Sequence, residues 1–135
     1  MTGADMVQRK TRGRILVVDD SSLVRLYCCD VLERAGFEVD QAINGLEAME
    51  KVLAQTFDLV IVDVNMPRMD GMSFIRALRG NDSPVASLPS LIVTTEASQQ
   101  DRDDARAAGA NFYLVKPVSE ADLVRHVAVL AGLPS

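Results

Sequence analysis

Four short apolar runs in this chain each end on a group able to do chemistry. Ile15-Leu16-Val17-Val18 is followed by Asp19-Asp20, and Leu59-Val60-Ile61-Val62 by Asp63. Leu91-Ile92-Val93 is followed by Thr94-Thr95, and Phe112-Tyr113-Leu114-Val115 by Lys116-Pro117. In an open sheet of parallel strands the site forms outside the carboxyl ends, so these groups would share one crevice. If the runs ending at Asp19-Asp20 and at Asp63 are neighbours, three carboxylates crowd one mouth and raise some of one another's pKa values. A divalent cation relieves that conflict. An all-oxygen set with no His or Cys in reach favours magnesium (Mg2+) over zinc. A carboxylate can also attack phosphorus and form an aspartyl phosphate. The charge on the incoming phosphoryl oxygens must then be neutralised, and magnesium, the Lys116 ammonium and the Thr94 hydroxyl would each take one oxygen. The chain has no glycine-rich phosphate loop, which argues against a nucleotide donor.

Taken singly, each residue has a plainer reading. Asp19 or Asp20 can be a turn former or a helix cap, and Asp70-Gly71 is an ordinary turn signal. Lys116 alone can be a surface lysine. Asp63, however, closes an apolar strand instead of opening a turn. Lys116 ends a strand and precedes Pro117, a candidate for a cis peptide bond that would lock the loop. The set is far more specific than any member.

The elements that must position these groups alternate along the chain. The four apolar runs and a weaker one at Phe37-Glu38-Val39 have strand length and β-branched character. Continuous apolarity predicts strands covered on both faces, as in a parallel sheet between helices. Between them lie helical patterns. Ser21 or Ser22 caps the first, with Leu23, Leu26, Val31 and Leu32 along its inner stripe, and Gly36 ends it. Asn44 caps a second, which carries Ala48, Met49, Val52 and Leu53. Gly71 precedes a third, with Phe74, Ile75 and Leu78. A polar fourth runs roughly from Ala97 to Ala108 and ends at Gly109. Ser119 caps a fifth, with Leu123, Val127 and Leu130 inward. The fourth carries Asp101, Arg102, Asp103, Asp104 and Arg106, which read as a solvated face or as a mobile recognition helix. Five strands alternating with five helices predict a doubly wound α/β domain over residues 14–132.

Composition narrows the class. At 135 residues the chain suits one domain, and 48% apolar and 24% charged residues suit a globular one. Residues 1–13 are polar and read as a flexible tail, with Arg9, Lys10 and Arg12 as the alternative of a basic arm. No apolar run has the length of a membrane span, and no secretory signal is seen. The adjacent Cys28 and Cys29 suit neither a disulfide framework nor a metal site, so a cytoplasmic location is expected. A net charge of −5 argues against nucleic-acid binding.

Four stretches carry a family resemblance. They are Val17-Val18-Asp19-Asp20-Ser21, Asp63-Val64-Asn65-Met66-Pro67-Arg68-Met69-Asp70-Gly71, Val93-Thr94-Thr95-Glu96-Ala97 and Tyr113-Leu114-Val115-Lys116-Pro117. Over residues 14 to about 132 the chain resembles the receiver domains of two-component response regulators, especially the stand-alone, CheY-like ones of chemotaxis. The resemblance implies a flavodoxin-like, five-stranded sheet in the order 2-1-3-4-5. It makes Asp63 the phosphoacceptor. It assigns magnesium to Asp20, Asp63, the Asn65 backbone carbonyl and, through water, Asp19. It assigns the phosphoryl group to Thr94 and Lys116, an inward-turning switch to Thr94 and Tyr113, and the dephosphorylation rate to Asn65 and Glu96. The implied donor is the phosphohistidine of a sensor histidine kinase, with transfer and autodephosphorylation catalysed by the domain. The implied output surface is the fourth helix, fifth strand and fifth helix. With no effector domain expected after the fifth helix, output would be phosphorylation-controlled protein binding.

Within signalling, the chain could bind a motility switch, act as a phosphate sink or relay phosphate onward. Other classes predict other residues. An aspartyl-nucleophile phosphatase places a second Asp two positions after the nucleophile, where this chain has Asn65. A flavodoxin-like carrier wants a hydroxyl-rich phosphate loop where this chain has Asp19-Asp20. A receiver-like module working without phosphorylation would lack some of the expected side chains, and none is missing.

Overall fold

The computed structural model describes residues 12–132. Five strands alternate with five helices: β1 (Arg14–Val18), α1 (Ser22–Arg34), β2 (Glu38–Ala42), α2 (Gly45–Ala54), β3 (Leu59–Val62), α3 (Gly71–Arg79), β4 (Ser90–Thr94), α4 (Gln99–Ala108), β5 (Phe112–Val115) and α5 (Glu120–Leu130), with a short 3-10 turn at Val85–Ser87. All strand pairs are parallel and the order is β2-β1-β3-β4-β5, as the resemblance implied. Val18 lies opposite Val62, and Thr94 opposite Val115, so the residues that follow these strands emerge at one edge.

The pleat divides the core in two. Leu16, Val18, Val60, Val62 and Ile92 pack with Ala48 and Val52 of α2, with Phe74, Ile75 and Leu78 of α3, and with Ala105 and Ala108 of α4. Ile15, Val17, Leu59, Ile61, Leu91 and Val93 pack with Cys28, Val31 and Leu32 of α1 and Leu123 and Val127 of α5. This two-sided burial explains the unbroken apolar strands. Phe74 is fully buried, and trimming a Phe like it to Ala costs about 3–5 kcal/mol.

Each helix start has a side-chain cap. Ser21 accepts from Val24 N–H, Asn44 from Glu47, Asp70 from Ser73, Ser98 from Asp101 and Ser119 from Asp122. Each such cap contributes roughly 1 kcal/mol. Asp70 is thus a cap, and Gly71 is the first residue of α3, not the residue before it. The turns after α1 and α4 use left-handed backbone, with φ 101° at Gly36 and 109° at Gly109.

Several expectations are corrected. Leu23 and Leu26 do not face the core: they are 78% and 59% exposed, while α1 buries Cys28, Cys29, Val31 and Leu32. Leu53 is likewise exposed, because α2 turns Ala48 and Val52 inward. β5 is an edge strand, so its Phe112 is 45% exposed in spite of the apolar run. β2 starts at Glu38 and reaches Ala42, and Phe37 is buried just outside it. Of the expected tail, residues 1–11 lie outside the described residues. Arg12 and Gly13 are held: Arg12 N–H donates to Gly36 O at 2.9 Å, Arg12 Nη1 donates to Ala35 O at 3.1 Å, and Gly13 O accepts from Glu38 N–H at 2.9 Å.

Candidate functional site

The acids meet at the carboxyl edge of β1 and β3. Asp19 N–H donates to Ala42 O and Asp63 N–H to Val18 O, so each residue prolongs its strand by one position. One carboxylate oxygen each from Asp19, Asp20 and Asp63 lies within 4.8 Å of the others. Asp19 and Asp63 are buried, 3% and 8% exposed, and Asp20 faces solvent. The cluster suits a hard divalent cation, which takes oxygen ligands and keeps water on its open side.

Lys116 enters from the end of β5. Its N–H donates to Thr94 O at 2.8 Å, its peptide bond to Pro117 is cis, and its ammonium lies 2.9 Å from Asp19 Oδ2 and 3.7 Å from Asp63 Oδ1. Burial pushes the Asp63 carboxyl above its ordinary value. The Lys116 charge opposes that, Asp19 adds to it, and the Thr94 hydroxyl and Val64 N–H favour the ionised form. A buried acid with a raised pKa beside a paired ammonium is a common signature of a functional cleft. Thr94 is fully buried at the end of β4, and its Oγ1 accepts from Glu96 N–H at 3.3 Å.

The remaining predicted residues flank this centre. Asn65 is exposed on the loop after Asp63, whose Arg68 takes a left-handed φ of 72°. That loop closes against α3. Gly71 N–H donates to Val64 O, and a Cβ on Gly71 would lie 2.2 Å from Asp63 O. Tyr113 is half-buried, and its hydroxyl donates to Glu96 O at 2.7 Å. The Arg102 guanidinium of α4 covers the Tyr113 ring at 5.0 Å.

Two contributors were not singled out from the sequence: Arg25, whose Nη1 donates to Asp19 O at 2.6 Å, and Tyr27, whose hydroxyl donates to Val118 O at 2.8 Å. For Arg25 a signal existed. Long helical side chains lean toward the helix N-terminus, so an Arg in the first turn of α1 reaches the turn before it.

A doubly wound sheet with an acid cluster and a lysine at its carboxyl edge defines a class of small α/β phosphoacceptor modules. Within that class the chain belongs to the response regulator receiver domain family, whose model matches residues 15–128. Receiver domains take phosphate from histidine kinases. The transcriptional regulatory protein PrrA of Mycobacterium tuberculosis is 40% identical over 120 residues, covering 89% of this chain and 50% of that protein. The chain spans about half the length of the curated relatives it matches. Among solved structures, chemotaxis protein CheY4 of Vibrio cholerae superimposes with a TM-score of 0.82 at 36% identity, covering 89% of this chain and 99% of that one. The receiver domain of sensor histidine kinase PA1611 from Pseudomonas aeruginosa, described with a magnesium ion coordinated in its active site cleft, gives a TM-score of 0.82 at 29% identity over 89% and 98% of the two chains. No helix among the described residues is long and apolar enough to cross a membrane.

Proposed function

We propose that Asp63 accepts a phosphoryl group from the phosphohistidine of a sensor histidine kinase. The observation that carries this reading is the Lys116 ammonium lodged between buried Asp19 and Asp63, in a pocket whose third acid stays open to solvent. An Asp63 carboxylate oxygen attacks phosphorus, the phosphorus–nitrogen bond of the donor breaks, and the ring leaves with the electron pair, taking up one proton from solvent to become neutral imidazole. Lys116 holds one phosphoryl oxygen and the Thr94 hydroxyl another. Asp20, Asp63 and the Asn65 carbonyl are the proposed magnesium ligands, with Asp19 acting through water. The cation, when bound, supplies charge neutralisation for the acids and the phosphoryl group.

The readout is a shift between two states. Thr94 turning toward the new phosphate would free Glu96 N–H, and Tyr113, tied to the Glu96 carbonyl, would follow inward. The face of α4, β5 and α5 would then bind its partner differently. Asn65 and Glu96 set how long the phosphate lasts, with hydrolysis catalysed by the domain itself. The Vibrio likeness over the whole of that chain supports a CheY-like role in chemotaxis or motility, in the cytoplasm, and a phosphate sink or relay uses the same chemistry. The PrrA likeness over half of that protein supports a second setting, transcriptional regulation.

Incubation with acetyl phosphate and magnesium, followed by intact mass, tests the reading. One added phosphoryl group, lost in Asp63→Asn, is expected. No gain in the parent protein overturns it.

A further inference from the structure

The three acids of the pocket are held unequally. Asp19 donates its N–H to Ala42 O at 3.1 Å, and its carboxylate accepts from Ser21 N–H at 2.9 Å and from Lys116 at 2.9 Å. Asp63 donates its N–H to Val18 O at 3.0 Å, and its carboxyl is walled in beside Lys116. Asp20 is exposed, and among the described residues no side chain pairs with its carboxylate. Its direction must come from the backbone.

The peptide unit joining Asp19 to Asp20 has a side-chain partner. The Asp19 carbonyl accepts from Arg25 Nη1 at 2.6 Å, and Nε of the same guanidinium donates to Gln41 Oε1 of β2 at 3.0 Å. Two acceptors on one rigid, planar fork fix the plane of the fork, and the fork fixes the tilt of the peptide. A change in that tilt swings the Cα–Cβ bond of Asp20. Resting on the phosphoacceptor reading, we propose that Arg25 is a positioning residue that aims Asp20 into the acid cluster and thereby sets the affinity of the pocket for a divalent cation.

The sign of the effect separates this role from a plain charge. A cation beside an acid cluster repels a second cation, so removing a bare positive charge tightens magnesium binding. Removing a brace loosens it. Arg25→Met keeps the apolar stem and deletes both donors. Arg25→Lys keeps the charge but lacks the fork.

The experiment is a calorimetric titration of the full chain with magnesium chloride, paired with amide hydrogen exchange over residues 19–23. The expected result is magnesium affinity about five- to tenfold weaker in Arg25→Met, on the scale of one ordinary hydrogen bond lost from the brace, and a smaller loss in Arg25→Lys. Exchange at the turn is expected to be faster in both. Affinity equal to or tighter than the parent in Arg25→Met overturns the proposal, as does parental affinity and exchange in Arg25→Lys. The Lys variant remains informative if the Met variant does not fold. A parent protein that takes up no magnesium overturns this proposal and the phosphoacceptor reading together, whereas normal uptake by the parent with unweakened variants overturns this one alone.

Discussion

The Lys116 ammonium rests on Asp19, 2.9 Å away, and stands 3.7 Å from Asp63. In this arrangement it neutralises the same acids that a divalent cation would, so amine and cation compete. Replacing Lys116 by Met should tighten magnesium binding by about tenfold, given the energy of a partly buried charge pair. The same change should slow phosphoryl gain from acetyl phosphate by about a hundredfold, the cost of one missing charge-stabilising donor. Calorimetry reads the first effect and timed mass spectra the second. Tighter binding with an unchanged rate would remove Lys116 from the phosphoryl site.

Burial raises the Asp63 pKa, so above the ordinary carboxylate range the fold holds its proton more readily than the unfolded chain does. Stability is therefore lost as pH rises through that window, and the ionised carboxylate is a net cost at neutral pH. Asp63→Asn should raise the thermal midpoint at neutral pH, with Lys116 still paired to Asp19. The gain should vanish below the ordinary carboxylate range, where both forms are uncharged. Melting curves of the metal-free parent and of Asp63→Asn across the acid range check both points.

Gly71 sits where no Cβ fits, 2.2 Å from Asp63 O and 3.0 Å from Val62 Cγ1. Gly71→Ala must push α3 away from β3 or displace Asp63. A loss of about 3 kcal/mol in urea unfolding is expected, at the upper end for overpacking. Phosphoryl uptake should fall in the fraction that remains folded.

Arg79 binds five acceptor groups with six hydrogen bonds: Gly109 O twice, Ala86 O, Leu88 O, Ser90 Oγ and Asn111 Oδ1. Burial lowers its pKa. Its contacts tie the end of α3 to the starts of β4 and β5. Arg79→Met should cost about 3 kcal/mol, since several carbonyls lose a charged donor at once. Magnesium affinity should stay at the parental value, because the acid cluster lies at the other end of the sheet. Urea unfolding and calorimetry on the same sample separate the two effects.

The sequence was most legible where burial is complete. Leu59–Val62 and the Phe74, Ile75, Leu78 stripe are buried on every side, so hydropathy alone located them. It misled on α1, where Leu outranks Cys in hydropathy but the inward stripe runs through Val24, Cys28, Val31 and Leu32. It misled on β5, since an edge position cannot be seen in a single run and Phe112 lies at that edge. In the site, Asp19, Asp20, Asp63 and Lys116 were legible because each stands at a strand end, and parallel strands deliver their ends to one place. Arg79 was illegible because four of its six hydrogen bonds go to backbone carbonyls, which every residue type carries, so its pairing is hardly written in the side chains. Arg25 left only the positional signal of an Arg in the first turn of a helix.

The Arg79 knot also gives the molecule a quiet pole. It gathers the amino ends of β4 and β5, while Thr94 and Lys116 stand at the opposite tips, roughly 15 Å along a five-residue strand. A dye, a surface tether or a fused reporter joined at the turn Val85–Ser87 would ride beside that knot and leave the acidic mouth unobstructed. The geometry of the sheet thus marks out where the domain can be handled in a sensor without touching its chemistry.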